Sequence, residues 1–179
     1  PDTQRSNQDD WVAPTISLMN SLPIGVFDSG IGGLTVVNAI QKHLPNEDLV
    51  YVGDTARVPY GSRSPGTVID YATQIATYLE DTGVKEILIA CNTASAVALE
   101  IVAAQTSLPV SGVILPGAEA AMKLNKSGHI GVIATRATIN SGAYQNAIQQ
   151  IQPGAEVISV ATPLLVPLIE EGCMDEPFT

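Results

Sequence analysis

The sequence predicts an α/β fold in which parallel sheets are flanked by helices. Short β-branched runs bounded by Gly, Pro or Asn alternate with stretches of helical periodicity, the pattern of βαβ units with right-handed crossovers and a sheet covered on both faces. The 179 residues are 45% hydrophobic, enough for one good-sized core or two small ones.

Taken in order, the chain opens with "PDTQRSNQDDW", which has almost no apolar periodicity, so residues 1–22 read as a mobile, solvated leader without chemistry. "IGVFD" (Ile24–Asp28) is the first strand, and helical periodicity follows over Leu34–His43. "LVYVG" (Leu49–Gly53) is the second, with a helix from about Ser64 to Thr82 behind it. "EILIAC" (Glu86–Cys91) is the third and leads into a helix over Thr93–Gln105. "PVSGVI" (Pro109–Ile114) and "HIGVIAT" (His129–Thr135) come next, with helices over Gly117–Asn125 and Asn140–Ile151. "EVISVA" (Glu156–Ala161) is the last strand and Pro163–Glu171 the last helix. The weakest internal seam is "SGVILP" (Ser111–Pro116), where one α/β unit can hand over to another.

Composition excludes several classes of function. A formal charge of −10, from 8 basic against 18 acidic residues, removes the attraction that drives binding to nucleic acid or anionic membranes. Two cysteines, Cys91 and Cys173, are too few for a disulfide framework and fit a reducing compartment. No apolar run approaches the roughly 20 residues of a membrane span, so the expected location is cytoplasmic. Two Cys and two His at these spacings make no zinc ligand pattern.

Ligands of such sheets gather where strands end and helices begin. Four loops meet that description: "DSGIGG" (Asp28–Gly33), "GDTARVPYG" (Gly53–Gly61), "CNTAS" (Cys91–Ser95) and "ATRATINSG" (Ala134–Gly142). The glycine loop is neither a dinucleotide fingerprint nor a phosphate-binding P-loop, because the third spaced glycine and the Gly-Lys pair are missing. It suits a small anion such as a carboxylate, or serves only as a sharp turn. Asp28 at the end of an apolar strand is costly unless paired, so it caps the helix or binds an ammonium group. Cys91 is either a small buried hydrophobe or a reactive thiol. Asn92 and Thr93 favour the second reading, since they offer donors beside it, and the helix N-terminus is expected to bring the thiol toward neutrality. His43 and His129 fall away from these loops, which makes proton transfer a better fit for the thiol than acyl chemistry.

In this order and spacing, "GVFDSGIGGLTV" (Gly25–Val36), "VPYG" (Val58–Gly61), "ACNTASA" (Ala90–Ala96) and "GVIATRATINSGAY" (Gly131–Tyr144) resemble cofactor-independent glutamate racemase. The resemblance runs from about Pro23 to Gly172. It implies two similar α/β domains with the active site between them, over 23–113 and 114–179, the second incomplete. It also implies interconversion of L- and D-glutamate for bacterial peptidoglycan, no cofactor, glutamate as the small-molecule partner, and room for a homodimer. By the same resemblance Cys91 is one of two proton-transferring cysteines, Asp28 assists it, and Glu170 stands near the second. Asp28, Ser29, Tyr60, Gly61, Asn92, Thr93 and Thr138 match substrate-binding positions, and Thr135 helps to shape the pocket.

The family's second cysteine lies in a Cys-Thr-His segment, and nothing after Glu170 matches it. Cys173 has neither the Thr-His continuation nor a preceding strand, so it receives no catalytic role, and the chain is expected to be shortened at its C-terminus. Three other readings stay open: a racemase of a related amino acid such as aspartate, a thiol hydrolase using Cys91 as nucleophile, and a binding or regulatory module.

Overall fold

The computed structural model describes residues 21–173 and 175; the expected leader, apart from Ser21 and Leu22, lies outside the described residues. Among the described residues, six strands form two parallel sheets. The first holds β1 (Ile24–Asp28), β2 (Leu49–Gly53), β3 (Glu86–Ile89) and β4 (Val110–Gly112) in the order β2-β1-β3-β4. The second pairs β5 (His129–Ala134) with β6 (Glu156–Ala161), His129 opposite Glu156 through Ala134 opposite Ala161. All pairings are parallel, so every strand in a sheet delivers its carboxyl end to the same edge.

Helices α1 (Leu34–His43), α2 (Pro65–Thr82) and α3 (Asn92–Gln105) cover the first sheet on both faces. Phe27, Ile87 and Ile89 pack against Leu79 and Ala76 of α2 and Ala98 and Val102 of α3. Ile24, Val26 and Ala90 pack on the opposite side against Val36, Val37 and Ile40 of α1. The Ser64 hydroxyl caps α2 by accepting from the Thr67 N–H, with Pro65 at the first helical position, and Gly83 closes it at φ 85° in the left-handed region.

The second sheet departs from the expectation of two covered faces. Helices α4 (Ile114–Leu124) and α6 (Ala143–Ile151) bury Ile130, Val132 and Val157 on one face. The other face leaves Ile133 67% and Ile158 60% exposed. Two helices also differ from the sequence reading. The helix expected at 117–125 starts at Ile114, because Pro116 falls in its first turn, where no intrahelical N–H is missed. The single helix expected at 140–151 is two, α5 (Arg136–Ser141) and α6, broken at Gly142, whose φ of 68° ends the first. The last helix, α7, runs Leu165–Glu170.

Candidate active site

The site is built where β1, β3 and the loop after β2 end. Asp28 closes β1 and is 7% exposed. Its Oδ2 accepts from the Gly30 N–H at 3.2 Å and the Gly33 N–H at 3.0 Å, so the carboxylate folds the glycine loop around itself. A Cβ on Gly33 would sit 2.6 Å from the Asp28 Cβ, which explains a glycine there. The Tyr51 hydroxyl donates to the Gly30 carbonyl at 2.9 Å from the neighbouring strand, and burial, Asp28 and Cys91 push its phenol up to about 12.

Cys91 follows β3 and is the N-cap of α3. Its sulfur accepts from the Ala94 N–H and donates to Ser29 Oγ, both at 3.5 Å, so it bridges the cap and the glycine loop. The thiol is 5% exposed. The expected shift toward neutrality is overturned: burial pushes the thiol up, the nearby Asp28 charge adds to it, and the bonds from Ala94 and Ser29 only partly oppose them. A helix N-terminus favours a thiolate, yet here two other causes outweigh it.

The loop after β2 brings Tyr60 and Gly61 to the cavity in a 3-10 turn, Tyr60–Ser62. The Tyr60 hydroxyl donates to Asp54 Oδ2, which also takes Arg57 Nε at 2.7 Å. Burial and this bond hold the phenol far above its ordinary range, so its hydroxyl stays protonated and turned to Asp54. Arg57 in turn lies 4.2 Å above the Tyr71 ring and donates to Gln74 at 2.9 Å. This pair of residues, Asp54 and Arg57, escaped the sequence reading. The signal was available, since Asp54 directly follows the apolar strand Leu49–Gly53 as Asp28 closes Ile24–Asp28.

The second sheet reaches the site through its helices. The Thr93 hydroxyl lies 2.9 Å from that of Thr135 and 3.3 Å from that of Thr138, and these two are 3.0 Å apart, a closed triangle. Gly61 packs directly on Thr135, whose Cγ2 would stand 2.4 Å from any added Cβ. The Tyr144 hydroxyl donates to Asn92 Oδ1 at 2.6 Å, which leaves the Asn92 amide N–H groups as donors. Glu170, at the end of α7, comes to the glycine loop: its Oε1 would be 3.2 Å from a Cβ on Gly30. Burial pushes its carboxyl up, with Asp28 and Glu171 contributing.

Asp28, Ser29, Tyr60, Gly61, Cys91, Asn92, Thr93 and Glu170 therefore line one cavity of about 290 Å³. Thr138 does not; it is 2% exposed and acts behind Thr93. His129 begins β5 and pairs with Glu156 at 3.1 Å on the surface, and His43 is exposed at the end of α1. Among the described residues no helix is long and apolar enough to cross a membrane.

Comparison with known proteins supplies names. Residues 31–174 match a family model described as Asp/Glu/Hydantoin racemase. A glutamate racemase from Geobacter metallireducens is 55% identical over 152 residues, which is 85% of this chain and 56% of that protein. One from Aquifex aeolicus is 53% identical over 154 residues, 86% of this chain and 60% of its own. Among solved structures, glutamate racemase from Francisella tularensis in complex with D-glutamate superposes with a TM-score of 0.82 at 48% identity, covering 89% of this chain and 60% of that one. The Aquifex pyrophilus glutamate racemase gives 0.78 at 49%, with 87% and 61% covered. The chain thus spans about 56 to 61% of the length of these relatives. With four-fifths of its residues inside the matched model, the chain belongs to the Asp/Glu/Hydantoin racemase family.

Proposed function

We propose that this chain carries one thiol face of a cofactor-independent glutamate racemase that supplies D-glutamate for peptidoglycan. The observation that carries the reading is the placement of Cys91 at the mouth of α3, in one cavity with two carboxylates and a set of amide and hydroxyl donors. The family resemblance and the relatives' names support it.

In this reading the α-carboxylate of the amino acid lies against Asn92, Thr93 and the first N–H groups of α3. Its ammonium group lies between Asp28 and Glu170, which approach each other from different sheets. An ammonium group there offsets the Asp28 charge that, with burial, holds the thiol up, and so favours the thiolate. Cys91 then takes the α-proton onto sulfur, the C–H electron pair spreads into the α-carboxylate, and a second acid returns a proton to the opposite face. The resemblance assigns that second acid to a cysteine in a Cys-Thr-His segment that these 179 residues do not contain. We assign Cys173 no such role, because it lacks the Thr-His continuation and follows the helix α7 rather than a strand.

The test is proton NMR of L- and D-glutamate in deuterium oxide, with intact mass recorded on the same sample. The chain extended to the length of its relatives should lose the α-proton signal of both enantiomers, and Cys91→Ala should abolish that loss. Undiminished exchange in Cys91→Ala sinks the mechanism, and faster exchange of aspartate than of glutamate moves the substrate assignment.

A further inference from the structure

Beside the catalytic cavity lies a larger one, of about 510 Å³, between the 3-10 turn and start of α2 on one side and α5 and α7 on the other. Its walls are mainly apolar, with Pro65, Val97, Pro163 and Pro167, and carry the uncharged polar side chains of Ser62, Thr135, Asn140 and Ser141. Among the described residues, its only charged lining residues are Arg63 and Arg136, in a protein with 18 acidic against 8 basic residues. Among the described residues Arg57 is ion-paired, but the Arg63 and Arg136 guanidinium groups have no ion-pair or hydrogen-bond partner. Among the described residues, the cavity lining holds no carboxylate to neutralise them.

From these features we infer that this cavity is a second ligand site, for a small organic anion with an apolar body. The volume falls within the range of small-molecule sites, about 300–1,000 Å³, and apolar walls with a few convergent polar groups are how such sites are lined. Guanidinium groups match the oxyanion of a carboxylate, phosphate or sulfonate in fork geometry. The local positive charge gives an anion a favourable place on a molecule whose net charge otherwise repels it. The site shares Pro59, Gly61 and Val166 with the catalytic cavity, so its occupant touches the turn that carries Tyr60 and the helix that carries Glu170. The inference does not depend on which amino acid the catalytic cavity accepts.

Fluorescence titration with anilinonaphthalenesulfonate, an aromatic sulfonate, tests it, with the uncharged N-phenylnaphthylamine as control. Saturable binding should weaken about tenfold or more in R63Q/R136Q, recover in R63K/R136K, and stay unchanged in C91A. Both arginines are exposed, so these replacements leave the core intact. Equal affinity in R63Q/R136Q, equal affinity for the uncharged probe, or a parallel loss in C91A overturns the site. The titration is repeated on the chain extended to the length of its relatives; binding by the short chain alone would hand the cavity to the added segment and overturn it as well.

Discussion

In the first sheet every residue of Ile24–Asp28 is buried, whereas His129–Ala134 and Glu156–Ala161 of the second alternate between half-buried or exposed side chains. The same kind of strand, apolar and β-branched, meets helices on both faces in one case and on one face in the other. The closed sheet supplies the groups that need fixed positions: Asp28, Cys91, Asn92 and Thr93 follow directly from its strands. The open sheet supplies Thr135, Thr138, Tyr144 and Glu170 from helices laid across the gap. Rigidity and reach are thus divided between the two.

The largest test of this contrast removes a side chain from the closed sheet. Phe27→Ala should cost about 3–5 kcal/mol in urea denaturation, the usual cost of emptying a fully buried aromatic site. Next comes the contact between the halves: Gly61→Ala should cost about 1–3 kcal/mol by driving a methyl into Thr135, and Thr135→Ser in the same chain should recover part of it by deleting Cγ2. If the double variant recovers nothing, the packing between the sheets is not what the distances imply. Thr135→Val should cost about 1 kcal/mol, since it removes one hydroxyl of the triangle at constant shape.

Cys91 sharpens the contrast by pH. Its thiol is raised in the folded protein, so iodoacetamide should modify it more slowly near neutral pH than it modifies a free thiol peptide. Because the folded value lies above the unfolded one, the neutral thiol's contribution to stability is complete below the unfolded value and lost as pH rises through the folded one. Alkylation as fast as in the peptide would contradict both statements. The smallest effect belongs to the open face, where Ile133→Thr should change stability by less than about 0.5 kcal/mol. A loss comparable to that of Phe27→Ala would erase the difference between the sheets.

Much of the frame was legible in the sequence because strand ends coincide with Gly, Pro and polar clusters: Ile24–Asp28, Leu49–Gly53 and Glu156–Ala161 match residue for residue. The open face was not legible, since "HIGVIA" places apolar side chains on both sides and no local pattern says which side is met. The break at Gly142 was missed for a related reason, because Asn140–Ile151 keeps helical periodicity through a glycine that only its φ reveals as an end, and the helical Arg136–Ser141 lies in what reads as a loop. At the site, the loops named the lining residues well, but the thiol's direction was misread. A helix N-terminus is visible in sequence; burial, and a carboxylate that lies 63 positions away, are not.

Among the described residues, the hydrogen bonds that join the two sheets at the site are all donated by hydroxyls, from Thr93, Thr135, Thr138 and Tyr144. Each is worth about 1 kcal/mol net, and water can replace either partner. The polar contacts between the halves are therefore cheap to break. When they break, solvent stands in for each lost bond, while the buried sheet beneath keeps its shape.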